Sequence, residues 1–238
     1  MPARRLPLAL LLASHLLTPP ASAQNSEQNR YYVQQMIELA AANDDSGVTA
    51  MQRVLEQSPK PTATDPAGAR AALQRGLAAL EQNELTAALS AFQQASRADA
   101  SNVEASNYLG LVYRKLDRLT EAESALQLTL VLEPARAVAW FQLAQVYGLQ
   151  KDPHRALGAL ANTYRFAQNP MRAEEILRNI AENETVDTLR DAALAALRLY
   201  RLPAEAVIVP PLPANPDIKP LNARPGSRSV VLPKRPAP

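Results

Sequence analysis

The sequence predicts an all-α fold, a solenoid of antiparallel helix pairs. Two observations carry that expectation: a 34-residue self-similarity, and amphipathic segments of helix length separated by short polar breaks. Gly76, Gly110 and Ala144 stand 34 residues apart, and self-similarity at such a period is the mark of a repeat architecture. Their neighbours fall into columns. Three residues on come Ala79, Tyr113 and Tyr147, and twelve on Ala88, Ala122 and Ala156. Sixteen on come Phe92, Leu126 and Leu160, nineteen on Ala95, Thr129 and Thr163, and the loop position holds Ala100, Pro134 and Gln168. The small columns let one helix approach the next closely, and the large columns fill the space between units.

The elements follow in order. Residues 1–23 read as an export leader: Arg4-Arg5, an apolar run from Leu6 to Leu17, then Ala21-Ser22-Ala23 before the expected cleavage. The run is too short for a membrane span, which needs about twenty apolar residues. Residues 24–67 hold a shorter helical pair, Tyr31–Ala42 and Ser46–Gln57, broken at Asn43-Asp44-Asp45-Ser46, and then the linker "SPKPTATDPAG". Repeat register is absent there, so these helices either cap the solenoid or meet another copy. Three units follow at 69–102, 103–136 and 137–170, with helices expected near 69–82/86–98, 103–116/120–132 and 137–150/154–166. The breaks fall at Glu84-Leu85-Thr86, Asp117-Arg118-Leu119-Thr120 and Lys151-Asp152-Pro153. Residues 170–202 give two more amphipathic helices outside the columns, read as a degenerate capping pair that closes the domain at 68–202. Residues 203–238 hold ten of the chain's twenty prolines, a density that forbids helix and predicts a disordered tail.

These columns resemble the tetratricopeptide repeat, whose pattern places Trp, Leu-Gly, Tyr, Ala, Phe, Ala and Pro over 34 residues. "NYLGLVYRKLDRLTEAESALQLTLVLEP" (107–134) is most of one unit, and Trp140 opens the next. The resemblance implies a right-handed α-solenoid of about three units in which the first helix of each unit lines a partner-binding groove. On the matching positions stand Arg70, Leu73 and Leu77, then Asn107, Leu111 and Arg114, then Val138, Phe141 and Gln145. Some members clamp a C-terminal carboxylate with Lys and Asn; Leu73 and Leu77 occupy those places here. The resemblance also places Trp140 in the core.

Chemistry is sparse. The chain has 238 residues and no cysteine, which excludes disulfides, thiol nucleophiles and zinc–thiolate sites. Loss of Arg4 and Arg5 with the leader leaves 23 basic residues against 23 acidic ones, without the clustered cations of a nucleic-acid surface. His154 would be the one histidine of the exported chain, and one histidine makes neither a metal site nor a triad. The seven glycines are scattered, so no phosphate-cradling loop exists. The sequence therefore predicts no catalytic residue, cofactor or metal. It points to an exported scaffold, most readily in a bacterial periplasm, that binds an envelope protein or peptide in the repeat groove. Two alternatives stand beside it: a homo-oligomer built through the N-terminal helices, and an accessory subunit of a secretion, pilus or polysaccharide-export machine.

Overall fold

The computed structural model describes residues 21–202, and their side chains from Glu27 onward. The expected leader up to residue 20 and the Pro-rich segment 203–238 lie outside the described residues. The described chain forms ten helices and no strand. They are α1 (Ala21–Ala41), α2 (Asp45–Gln57), α3 (Pro66–Glu81), α4 (Leu85–Ala98) and α5 (Val103–Lys115). Then come α6 (Leu119–Leu132), α7 (Ala137–Leu149), α8 (Pro153–Arg165), α9 (Pro170–Asn183) and α10 (Asp187–Leu199).

The three units are α3/α4, α5/α6 and α7/α8, within about three residues of the sequence reading. Unit one starts earlier than expected because Asp65 caps α3: its side chain accepts from the Gly68 N–H at 2.9 Å, and Pro66 takes the first turn. Asn102 and Asp152 cap α5 and α8 in the same way.

The repeat is written in the backbone as well as in side chains. Asn83, Asp117 and Lys151 all adopt left-handed conformations, with φ of 57°, 57° and 60°, and stand one period apart. In each turn an N–H reaches back five residues: Glu84 to Ala79 O, Arg118 to Tyr113 O and Asp152 to Tyr147 O, at 2.8–2.9 Å. Such turns satisfy carbonyls that a helix end leaves orphaned.

The columns pack against each other inside each unit rather than only between units. A Cβ added to Gly76 would stand 2.4 Å from the Phe92 ring, and one on Gly110 would stand 2.5 Å from Leu126 Cγ. The small column thus receives the large side chain sixteen residues on. Ala88, Ala122 and Ala156 are fully buried, as are Phe92, Leu126 and Leu160. Trp140 is also fully buried; its Nε1–H donates to Pro134 O at 2.8 Å and its ring stacks on Phe166.

Two features depart from the sequence reading. Residues 24–57 do share the repeat's turn: Asn43 has φ 58° and the Asp44 N–H donates to Leu39 O. This hairpin does not stack before α3. α1 lies instead across the second helices α8 and α6. Its Val33, Met36, Ile37 and Ala40 are fully buried there, so the apolar face on which a homo-oligomer through these helices would rest is covered within the chain. Asn162 Nδ2 donates to Met36 O at 3.0 Å, and Arg165 pairs with Asp45.

The second departure is at the C-terminal end. α9 and α10 do pack on each other as a C-terminal pair, but out of the 34-residue register. Arg201, at the end of α10, has φ 53°, and the Leu202 N–H donates to Leu197 O at 2.9 Å, which is the turn that ends every first helix. α10 packs on α7 and α8, and Gly148 of α7 lies against Leu189, where a Cβ would stand 2.8 Å from Leu189 Cβ. α10 therefore takes the place of the first helix of a fourth unit. One period after Lys151 falls Thr185; the turn comes sixteen residues later. The pair is thus offset from the repeat register.

Candidate functional site

With α10 in the stack, α9 is left on the first-helix side of unit three. Its Arg172, Ala173 and Ile176 face Val138 and Phe141 of α7 across a cleft of about 510 Å³. Phe166 and Thr163 from the end of α8, and Arg136 before α7, complete the walls. Along α9 the cleft continues into a space of about 420 Å³ between Phe141 and Ile176, Asn179 and Ile180. Val138, on the cleft wall, is 55 % exposed.

The rim is charged. The Arg136 guanidinium contacts Glu104 of α5 at 2.6 Å and Glu133 at 2.9 Å. Burial works against its charge, but the two carboxylates prevail and hold it above the ordinary arginine range. Arg172 has no ion-pair partner among the described residues. The cleft therefore combines an apolar floor with charged walls, where Arg172 forms no ion pair among the described residues and Glu133 and Glu175 add carboxylates.

Of the residues expected in the groove, the structure brings Val138 and Phe141 to this cleft. Arg70 is exposed on α3, and Leu73 and Leu77 are half-buried against their own unit. Leu111 and Gln145 are half-buried outside the cleft. Asn107, expected to face solvent, is only 4 % exposed, because α5 is flanked by α4, α6 and α7. Arg114 is likewise drawn inward: burial pushes its guanidinium below the usual range, and the Glu184 carboxylate, in the turn between α9 and α10, partly offsets this. Both residues lie in packed surroundings, so their polarity is not the sign of a free contact surface. Arg136, Phe166, Arg172 and Ile176 were absent from the expected set. Ile176, Leu177 and Ile180 are legible in the sequence as apolar positions of one amphipathic helix, but nothing in the sequence says which helix they meet.

Glu123 and His154 join helices to one another. Glu123 of α6 accepts from Arg155 Nη1 at 2.8 Å, Gln150 Nε2 at 3.0 Å and Tyr147 Oη at 3.3 Å, tying unit two to unit three. His154 Nε2 lies 2.7 Å from Glu38 Oε2, joining α8 to α1 at the surface. Among the described residues no group of three His, Cys, Asp or Glu side chains is placed to hold a metal ion. No described helix is long and apolar enough to cross a membrane.

Residues 38–95, and again 73–137, match the family model of the tetratricopeptide repeat. Residues 38–137 of this chain are tetratricopeptide repeats. The match takes in α2 as well as units one and two, in keeping with the repeat turn at Asn43. Among solved structures, this tetratricopeptide-repeat chain is similar to an O-GlcNAc transferase mutant of Thermobaculum terrenum, with 21 % identity and a TM-score of 0.46. That alignment covers 59 % of this chain and 27 % of the other, so the chain spans about a quarter of the transferase's length. Two crystal structures of MamA are each 22 % identical with TM-scores of 0.46. One alignment covers 74 % of this chain and 93 % of the other, the second 68 % and 92 %. No curated protein matches the sequence.

Proposed function

We propose that this tetratricopeptide-repeat protein is an exported, non-enzymatic adaptor of the cell envelope that holds a partner protein at the cleft between α7 and α9. The observation that carries the reading is the cleft itself: Val138, Phe141, Phe166 and Ile176 offer apolar surface beside the unpaired Arg172. Aromatic anchors with a cation at the rim are the composition of protein-binding hot spots. Glu123 and His154 join helices to one another, and the chain has no cysteine, which supports a non-enzymatic reading.

A photo-crosslinking residue at Val138 in the full chain tests the site. It should capture a partner in envelope fractions, whereas the same residue at Ala87, exposed on α4, should not. Phe141→Asp should abolish the Val138 crosslink. Equal capture from both positions would remove the cleft from consideration.

Export rests on Arg4-Arg5, the Leu-rich run and Ala21-Ser22-Ala23. Cleavage after Ala23 would shorten α1 by three residues and leave Val33, Met36, Ile37 and Ala40 in place. Mass spectrometry of the envelope fraction should find Gln24 as the first residue; a mature chain that keeps Met1 would refute export.

A further inference from the structure

The two walls of the cleft treat their charges differently. On the α7 side, Arg136 is held between Glu104 and Glu133. On α9, Glu174 and Arg178 pair with each other at 2.6 Å. Arg172 and Glu175 line the cleft from that same helix, three residues apart, a spacing at which opposite charges can pair. Both are exposed, and neither forms an ion pair among the described residues. The rim of α9 thus presents one cation and one carboxylate, each without a counter-charge among the described residues.

Below that rim the surface is apolar. The spaces of about 510 and 420 Å³ share Phe141 and Ile176; Val138 and Phe166 line the first, and Ile180 the second. From Arg172 to Ile180 the α9 wall runs for about 12 Å at the helical rise. An extended segment of that length has about four residues, and each brings an N–H and a C=O that need partners once buried. The lining has few to give. Thr163 Oγ1 already donates to Ala159 O, and Asn169 Oδ1 already accepts from the Arg172 N–H. Of the neutral polar side chains in the lining, Gln168 and Asn179 alone make no hydrogen bond among the described residues. A helix avoids this cost because its backbone groups bond within it. Over the same distance it turns about twice and presents apolar side chains at i and i+3 or i+4.

We propose that the cleft takes an amphipathic helix of a partner protein, lying between α7 and α9 with both walls in place. Two large apolar side chains, one turn apart, enter the two spaces, with Phe141 common to both. A carboxylate on the flank of that helix meets Arg172, and a Lys or Arg meets Glu175. The apolar pair supplies affinity, and the charged pair sets register and direction. Reversed end to end, the helix would set its carboxylate against Glu175 and its cation against Arg172. This inference rests on the cleft being the partner site.

Photo-crosslinking residues at Val138 on α7 and at Asn179 on α9, each in the full chain, test it in envelope fractions. Both should capture one protein, and mass spectrometry should place the two crosslinks within one segment of about eight residues, two turns of helix. A synthetic peptide of that segment should gain helix on binding the full chain, read by circular dichroism. Arg172→Glu and Glu175→Arg should each weaken peptide binding at least tenfold, because reversal replaces attraction by repulsion. Both side chains are exposed, so thermal unfolding of the two variants should match the wild type. A peptide with its acidic and basic residues exchanged should recover binding to the doubly reversed chain. Crosslinks in separate segments, a peptide that binds without gaining helix, or charge reversals without effect would overturn the proposal. Capture from Val138 with none from Asn179 would overturn it too, while leaving the cleft as a partner site. Capture from Val138 no greater than from Ala87 would remove the cleft reading as well.

Discussion

Gly158 of α8 lies directly against the main-chain carbonyl of Ile37 in α1. A Cβ at Gly158 would stand 2.2 Å from Ile37 O and 2.8 Å from Ile37 Cγ2. Backbone cannot yield as a side-chain end does, so this glycine sets how closely the N-terminal hairpin approaches the repeats.

Gly158→Ala should therefore push α1 off α8 and cost roughly 1–3 kcal/mol of stability, as overpacking does. The loss should be local. Hydrogen exchange should show α1 losing protection while α5 and α6 keep theirs. A variant as stable as the wild type, with α1 still protected, would mean that the hairpin is not held at this contact.

Gly110 and Leu126 make the corresponding contact inside unit two. Gly110→Ala should destabilise by about 1–3 kcal/mol, because the new methyl falls 2.5 Å from Leu126 Cγ. Introduced into a Leu126→Ala background, the same change should cost much less, since the obstructing side chain is gone. Chemical denaturation of the four proteins measures this coupling. Additive effects would show that the two columns do not pack on each other.

Glu123 joins units two and three through a carboxylate whose side chain is 17 % exposed. Glu123→Ala leaves Arg155, Gln150 and Tyr147 short of a partner, at a cost of about 1–3 kcal/mol. Glu123→Gln keeps acceptor capacity and should cost less. The order of the two variants in thermal unfolding decides whether hydrogen bonding or mere side-chain volume matters at this junction.

Tyr147 makes stability sensitive to alkali. Burial, reinforced by the Glu123 carboxylate, pushes its phenol well above the ordinary value of 10.0. The folded state thus holds this proton more tightly than the unfolded state does. The associated stability is complete below pH 10 and is lost as the pH climbs beyond it, with a limiting slope near 1.4 kcal/mol per pH unit for one such group. Tyr147→Phe should flatten the decline above pH 10. Burial of Tyr200 acts in the same direction, so some slope should remain.

The sequence by itself determined the helix hairpins, their 34-residue period and the matching of small to large columns. Those features are local: amphipathic spacing fixes which face of a helix is buried, and Asn83 and Asp117 suit the left-handed turn that closes a pair. The fates of α1, α9 and α10 were decided by tertiary structure. Each has an apolar face, and an apolar face requires cover without naming what supplies it. Val33, Met36 and Ile37 would serve a cap or a second copy equally well until Gly158 and Asn162 provide a matching surface within the chain. α9 and α10 read as a pair because they are adjacent and similarly amphipathic, and they do pack on each other. Where the pair docks is decided by tertiary contacts: Leu189 against Gly148 sets α10 on α7, and Ile176 faces Phe141 across the cleft. Long-range packing chose between helices that local chemistry had left equivalent.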